Sequence, residues 1–278
     1  MQGKTVVISG ATSGIGAVAA RHLAEQGARI VLVARDARRA EATLRALRAA
    51  NPAAGHSAHL ADLSRLREMK RVGAEIAAAE PRIDVLMNNA GMLVSRNERT
   101  EDGLEVMFAT NHMSYFVITN LLLERLRAAG GARIVSTASA AHHRGRLDFE
   151  HVQEQKGAAG YGTTKLCNIL FTRELARRIA GTGVTANCLH PGFVATRFGD
   201  NAGGPLRAGL AIAKRLFALS PEEGAKTLVY LASSPEAAGR SGGYYSQCAP
   251  AVPSAAAQSD ATARRLWELS ARIAGICG

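Results

Sequence analysis

The chain has 278 residues and a mass of 29.2 kDa, with 47% hydrophobic and 21% charged residues. That is enough apolar content to bury one large α/β core or two small ones, and it excludes a chain too polar to fold on its own. The formal net charge of +11 raises nucleic acid, an anionic membrane surface and anionic ligands as partners.

Arg38, Arg39, Arg45, Arg48, Arg65, Arg67 and Arg71 fall along predicted helices beside Glu41, Glu68 and Glu75. They read as solvated helix faces, with a few cations left over for a phosphate. Neither a helix-turn-helix nor an aromatic stacking platform accompanies the charge, so no nucleic-acid partner is expected. The cysteines, Cys167, Cys188, Cys248 and Cys277, have neither metal-ligand spacing nor the pattern of a secreted framework, and read as reduced thiols of a cytoplasmic protein. No run of about 18 apolar residues exists, so no membrane span is expected, and the N-terminus enters a strand at once, so no signal peptide is expected either. His56, His59 and the pair His142-His143 lack the company of a metal site, and none is read.

Thr5–Ser9 is a short apolar run of the buried-strand type. It passes through Gly10, Ala11, Thr12, Ser13, Gly14, Ile15 and Gly16 into an Ala-rich helix reaching Gln26, and Gly27 closes that helix before a second strand, Arg29–Ala34. This is a βαβ unit with a glycine-rich first turn, where backbone can approach a pyrophosphate and a helix N-terminus offers N–H groups and dipole. Helix Asp36–Ala50, strand His56–Leu60, helix Ser64–Ala79 and strand Ile83–Asn88 follow. Next come a long helix from about Gly103 to Ala128 and strand Arg133–Ala138. Then helix Tyr161–Ala180, strand Val184–His190, helix Pro221–Ala232, a last strand Gly243–Ser246 and an amphipathic helix Ser259–Ala274. Strands alternating with helices predict one domain over residues 1–278. Its fold is α/β, a Rossmann-type, doubly wound parallel sheet of about seven strands covered on both faces. The last helix, within residues 258–275, caps a sheet edge.

Tyr161 and Lys165 lie one turn apart on the same helical face. A phenol is a poor acid near neutrality. A cation about 4 Å away, at an effective dielectric of about 20, contributes roughly 4 kcal/mol, or about three pKa units toward the phenolate. Alone, the pair is equally a helix that happens to carry Tyr and Lys four apart.

With its neighbours, the pair gives the chain a family likeness. The chain resembles the short-chain dehydrogenase/reductase family from Thr5 to about Ser246. The glycine pattern stands as Ser9-Gly10, Gly14-Ile15-Gly16, and the Asn-Asn-Ala-Gly motif as Asn88 to Gly91. Asn111, Ser139 and the Tyr161/Lys165 pair match the catalytic positions, and Pro191 to Thr196 match the Pro-Gly motif after the sixth strand. Within the family it is most similar to the retinol-dehydrogenase-like branch and related bacterial reductases, on Asn111-His112, Ala141 to Gly145, Leu170 to Leu175, Tyr244 to Cys248 and Arg265-Leu266-Trp267. The membrane-anchoring N-terminal segment of many retinol dehydrogenases has no counterpart, and Ala138 stands where that branch often has a second serine.

The resemblance implies hydride transfer between NADP(H) and a carbonyl or alcohol of a lipophilic aldehyde or ketone, retinal-like or polyketide-type. Tyr161 is the implied acid/base, and Lys165 lowers its pKa and holds the nicotinamide ribose. Ser139 holds the substrate oxygen, and Asn111 holds a water relaying protons from Lys165. Taken singly, Ser139 is also a strand-end hydroxyl and Asn111 a locally bonded helix residue. For the cofactor the implied set is Gly10, Ser13, Gly14, Ile15, Gly16, Arg35, Arg39, Asp62, Leu63, Asn89, Ala90, Gly91, Tyr161, Lys165, Pro191, Val194 and Thr196. Asp62 also falls in the N-cap region of the next helix, where Ser64 is an equally good candidate.

NADP(H) rather than NAD(H) is implied because Ala34 stands where NAD-dependent members carry an Asp, and Arg35 follows with a phosphate-binding guanidinium. Asp36 one place on reads as a helix cap. His112, His142, His143 and His190 read as structural. Residues 196–220, with Leu206, Leu210, Ile212, Leu216, Phe217 and Leu219, read as either an amphipathic helix on the core or an apolar lid over the substrate. A homodimer or homotetramer fits the family. The alternative to an enzyme is a nucleotide-binding sensor or scaffold of the same fold.

Overall fold

A computed structural model describes residues 1–95, 98–152, 154, 156–194 and 219–276. The lid expected over 196–220 lies outside the described residues except for Leu219 and Ser220, as do Thr196 and Cys277.

Eight strands form one sheet: β1 Thr5–Ser9, β2 Arg29–Ala34, β3 Ser57–Leu60, β4 Val85–Asn88, β5 Arg133–Thr137, β6 Thr185–His190, β7 Tyr244–Ser246 and β8 Ala249–Pro250. Their order is β3-β2-β1-β4-β5-β6-β7-β8, and only the β7–β8 pair is antiparallel. The helices are α1 Gly14–Glu25, α2 Ala37–Ala50, α3 Leu66–Ala79, α4 Val106–Arg127, α5 Gly157–Arg178, α6 Pro221–Ser233 and α7 Asp260–Ala274. The seven parallel strands meet the expectation. β8 adds a two-residue antiparallel edge, reached through Gln247 and Cys248, both at positive φ (50° and 61°). Neither residue is the Asn or Gly that marks such a hairpin turn; Thr227 Oγ1 on α6 holds it by accepting from the Cys248 amide at 3.1 Å.

Strand residues alternate between two cores, as a pleat requires. Val7, Val31, Val33 and Ile134 face the layer of α3, α4, α5 and α7, while Val6, Ile8, Ile30, Leu32 and Val135 face α1, α2 and α6. The order reverses between β1 and β4, so the crevice for a ligand opens beyond the C-terminal ends of those two strands.

α4 starts later than the periodicity predicts. Gly103 is in a left-handed turn (φ 75°), and buried Glu105 caps the helix by accepting from the Phe108 amide at 2.7 Å. A π-helical turn, Ala109–Met113, interrupts it. α4 is the one helix among the described residues with the length and hydropathy of a membrane span, and 72% of that window is buried in the protein. It is the central core helix beneath the sheet, packed against α3. α5 begins a turn earlier than predicted, at Gly157, which puts Tyr161 in its second turn.

Candidate active site

The site is assembled at the C-terminal edge of the sheet. β1 ends in Ser9, whose hydroxyl accepts from the backbone amides of Asn89 and Ala90, both at 3.1 Å. Asn89 then binds in three directions. Its Nδ2 donates to the Ser9 and Gly10 carbonyls at 3.3 and 3.1 Å, and its Oδ1 accepts from Thr137 Oγ1 at 3.1 Å. One side chain thus joins the ends of β1, β4 and β5. The glycine loop is packed to that frame: a Cβ on Gly16 would sit 2.5 Å from Asn89 Nδ2, and one on Gly10 would sit 2.6 Å from Ala90 Cα. Gly14 takes φ 57°. Ser13 precedes α1, is exposed, and makes no side-chain cap bond, so the α1 N–H groups stay directed into the crevice.

The four expected catalytic residues come from three elements and meet. Asn111 sits in the π turn of α4, a placement such turns often have in functional sites. It is buried, with Oδ1 accepting from Met92 N at 2.8 Å and Nδ2 donating to Met92 O at 2.9 Å and Thr164 Oγ1 at 3.0 Å. Lys165 Nζ is buried and donates to Thr137 O at 2.9 Å. A Cβ on Gly91 would sit 3.4 Å from Asn111 Oδ1 and 3.5 Å from Lys165 Nζ, so the two groups face one small space that only glycine leaves open. Ser139 lies two residues beyond β5 and hydrogen-bonds the Tyr161 side chain, while Tyr161 packs against the cluster of Leu93, Val94 and Met107.

The electrostatics differ from the expectation. Lys165 Nζ is turned to Thr137 O and lies 5.5 Å from the centre of the Tyr161 ring. Burial with no facing carboxylate pushes the Lys165 ammonium down to about 7. Burial also pushes the Tyr161 phenol above its ordinary range, and the Ser139 hydrogen bond only partly offsets this. A lysine that is neutral before the phenol ionises cannot supply the depression of about three units expected from sequence spacing alone. The raised phenol is therefore protonated near neutrality.

The remaining cofactor candidates divide. Arg35, Arg38 and Arg39 are exposed and form no ion pair among the described residues. The Asp36 carboxylate accepts from the Arg39 amide at 2.9 Å and so caps α2, as expected. Ala34 closes β2 with no charge. Asp62 stands at the end of β3, but its Oδ1 accepts from Ser64 N and Oγ at 3.1 and 2.8 Å. These bonds close a local turn and do not cap the helix: α3 starts after Arg65, its first amide, Leu66 N, donates to Asp102 at 2.8 Å, and the second Asp62 oxygen lies 4.0 Å from Arg65 Nε. Leu63 is buried beside it. After β6, Pro191 and Gly192 (φ 87°) turn the chain, Val194 bridges Leu219, and a Cβ on Gly224 would lie within 3 Å of both Val194 and Ile15. α1, the Pro-Gly turn and α6 therefore converge on one point.

Four residues that carry this geometry, Thr137, Thr164, Met92 and Tyr115, were not singled out by sequence reading. The Tyr115 hydroxyl donates to Ala90 O at 2.9 Å. None has a motif signal, since two act through backbone atoms and two through hydroxyls that any turn could use. His112 is structural, as expected: its Nε2 is 2.8 Å from Ser270 Oγ, and burial pushes its pKa down to about 3. Arginines elsewhere on helix faces are largely paired, Arg71 with Glu68 and Glu75, Arg45 and Arg48 with Glu41.

A family model described as short chain dehydrogenase matches residues 4–204. Retinol dehydrogenase 14 of Mus musculus is 40% identical over 296 aligned positions, covering 99% of this chain and 87% of the relative. A crystal structure of an uncharacterized Mycobacterium paratuberculosis protein superposes with a TM-score of 0.79 at 31% identity, covering 99% of this chain and 94% of that one. The actinorhodin polyketide ketoreductase, solved with NADPH, gives a TM-score of 0.66 at 26% identity, covering 87% and 94%. The chain belongs to the short-chain dehydrogenase/reductase family of oxidoreductases, on its retinol-dehydrogenase-like branch.

Proposed function

We propose that the protein is an NADP(H)-dependent oxidoreductase acting on the carbonyl or alcohol of a lipophilic aldehyde or ketone, with Tyr161 as its acid and base. The observation that carries this reading is the meeting of Asn111, Ser139, Tyr161 and Lys165 beside a glycine-lined crevice at the sheet's reversal point. When bound, NADP(H) supplies the hydride chemistry; this chain's residues position and protonate. Ser139 holds the substrate oxygen against the Tyr161 hydroxyl. Tyr161, kept protonated by burial, gives its proton to that oxygen in reduction and takes one from the alcohol in oxidation. Lys165 spends one N–H on Thr137 O; as an ammonium it has two more for a ribose hydroxyl and a water shared with Asn111, and as an amine one. Reduction is the favoured direction, because a protonated phenol is the donor form.

NADP(H) is supported by three features of the β2 end. Ala34 offers no carboxylate to repel a 2′-phosphate, Asp36 is committed to the α2 cap, and Arg35 is exposed and forms no ion pair among the described residues. The ketoreductase relative was solved with NADPH, in the same direction. Lipophilic substrates are supported by the names of the retinol dehydrogenase relatives. They are also supported by Phe193 and Leu219, each 40% exposed beside the Pro-Gly turn.

The test compares kcat/KM for NADPH and NADH on a panel of lipophilic aldehydes and ketones. Charge-assisted bonds of roughly 1.5–3 kcal/mol give at least about a tenfold preference for NADPH, most of which Arg35→Ala removes through the cofactor KM. Equal kcat/KM for the two cofactors in the unmodified protein rules the assignment out.

A further inference from the structure

Ser139 does not stand alone beyond the end of β5. Its carbonyl oxygen receives a hydrogen bond from His142 Nδ1 at 2.7 Å. The opposite nitrogen, His142 Nε2, accepts from the backbone amide of Ser254 at 3.0 Å. An amide can only donate, so Nε2 must carry the lone pair and Nδ1 the proton; one neutral tautomer satisfies both bonds. The ring is fully buried, with its centre 5.2 Å from that of Tyr244 and 4.0 Å from that of His143. Burial lowers its pKa and outweighs the Ser139 carbonyl bond, which raises it, while the neighbouring His143 lowers it further, which favours that neutral form. The His142 carbonyl also accepts from Gly145 N at 3.0 Å, and the Ala140–Arg144 turn is further held by Ser139 Oγ and His190 Nδ1, which accept from the Ala141 and Ala140 amides, each at 3.2 Å.

We propose that His142 is a positioning residue for Ser139, bolting the serine that meets Tyr161 to the segment leading from β8 into α7. The proposal rests on the oxidoreductase reading for its kinetics but not for its geometry. Ser139 has extended backbone, φ −164° and ψ 155°, and its hydroxyl is aimed only as well as its main chain is held. The His142 bond holds that main chain at its carbonyl. Ser254 belongs to the stretch before α7, so the C-terminal part of the chain touches the Ser139 turn through this imidazole.

Two substitutions separate the halves of the clamp. In His142→Asn the side-chain amide replaces Nδ1–H and still donates to Ser139, but falls short of Ser254. In His142→Gln the side-chain oxygen replaces Nε2 and still accepts from Ser254, but the Ser139 carbonyl loses its side-chain donor and keeps only the main-chain amide of residue 142, at 3.1 Å in the parent. Each variant forfeits one hydrogen bond, so both should lose similar amounts of thermal stability. The kinetics should differ. Aldehyde reduction by His142→Gln falls about 10- to 100-fold in kcat, the scale of a misplaced catalytic group, with NADPH affinity by fluorescence titration within about twofold of the parent. His142→Asn recovers most of that loss. The ζ-carbon NMR resonance of Tyr161, assigned with Tyr161→Phe, moves in the Gln variant as the Ser139 bond is disturbed and returns in the Asn variant. Equal kcat in the two variants, a parallel fall in NADPH affinity, or an unmoved Tyr161 resonance in His142→Gln overturns the proposal. If the parent protein turns over no carbonyl, it is the oxidoreductase reading that fails, and the Tyr161 resonance alone decides the role of His142.

Discussion

At the scale of single residues, the site turns on a buried lysine. Lys165 titrates near 7 against an ordinary 10.5. Between those values the unfolded chain holds a proton that the folded chain does not, so folding stability rises with pH through that window, and the cost of the buried ammonium is fully present below it. Urea midpoints of the ligand-free protein should therefore climb from about pH 7 to about pH 8.5, below the range where the buried thiols of Cys167 and Cys188 work in the opposite sense. Lys165→Met should flatten that slope. A slope that survives the substitution would place the titration elsewhere. The tyrosine–lysine spacing was legible in the sequence because period and side-chain chemistry coincide. The direction in which Lys165 points was not: it follows from the Thr137 carbonyl, a backbone atom that no side-chain pattern encodes.

At the scale of elements, the glycine loop and the Asn-Asn-Ala-Gly turn are two halves of one joint. The sequence marks both, but it does not reveal that they touch, since residues about 80 positions apart meet only through the β1–β4 pairing. Gly16 is where they are closest. In Gly16→Ala the new Cβ would meet both Asn89 Nδ2 and Gly10 O at 2.5 Å. Overpacking of this kind costs about 1–3 kcal/mol, and the shift moves the very backbone that faces the cofactor. NADPH affinity should fall by at least about tenfold, with a lower urea midpoint; affinity within twofold of the parent would separate the joint from cofactor binding. The π turn around Asn111 was likewise illegible, because a one-residue widening leaves the apolar periodicity of α4 almost unchanged. The β7–β8 hairpin escaped for the opposite reason: its turn residues, Gln247 and Cys248, are the wrong types for the conformation they adopt.

At the scale of the whole molecule, the C-terminal helix closes the core and reaches toward the site. Trp267 on α7 packs edge-on to Phe116 of α4 with centres 4.8 Å apart, stacks on Phe171 of α5 at 5.9 Å, and carries Arg178 over its ring at 4.5 Å. α7 also bonds to α4 through Ser270 and His112. Periodicity predicted this helix, but its partner was expected at a sheet edge and is instead the α4–α5 pair, against which Leu266 and Trp267 are buried. Trp267→Ala should cost about 3–5 kcal/mol and lower the melting temperature by on the order of 10 °C; a loss below about 1 kcal/mol would mean that α7 is not part of the core. The most direct measurement on the central claim is NADPH oxidation with a lipophilic aldehyde, the parent protein against Tyr161→Phe, with NADPH binding followed in parallel. Removal of one hydroxyl should abolish nearly all turnover while binding persists, because the ring stays in its place against Leu93, Val94 and Met107. Turnover within a few-fold of the parent would contradict Tyr161 as the acid/base, and tight binding without turnover by the parent itself would make the protein a nucleotide-binding sensor instead.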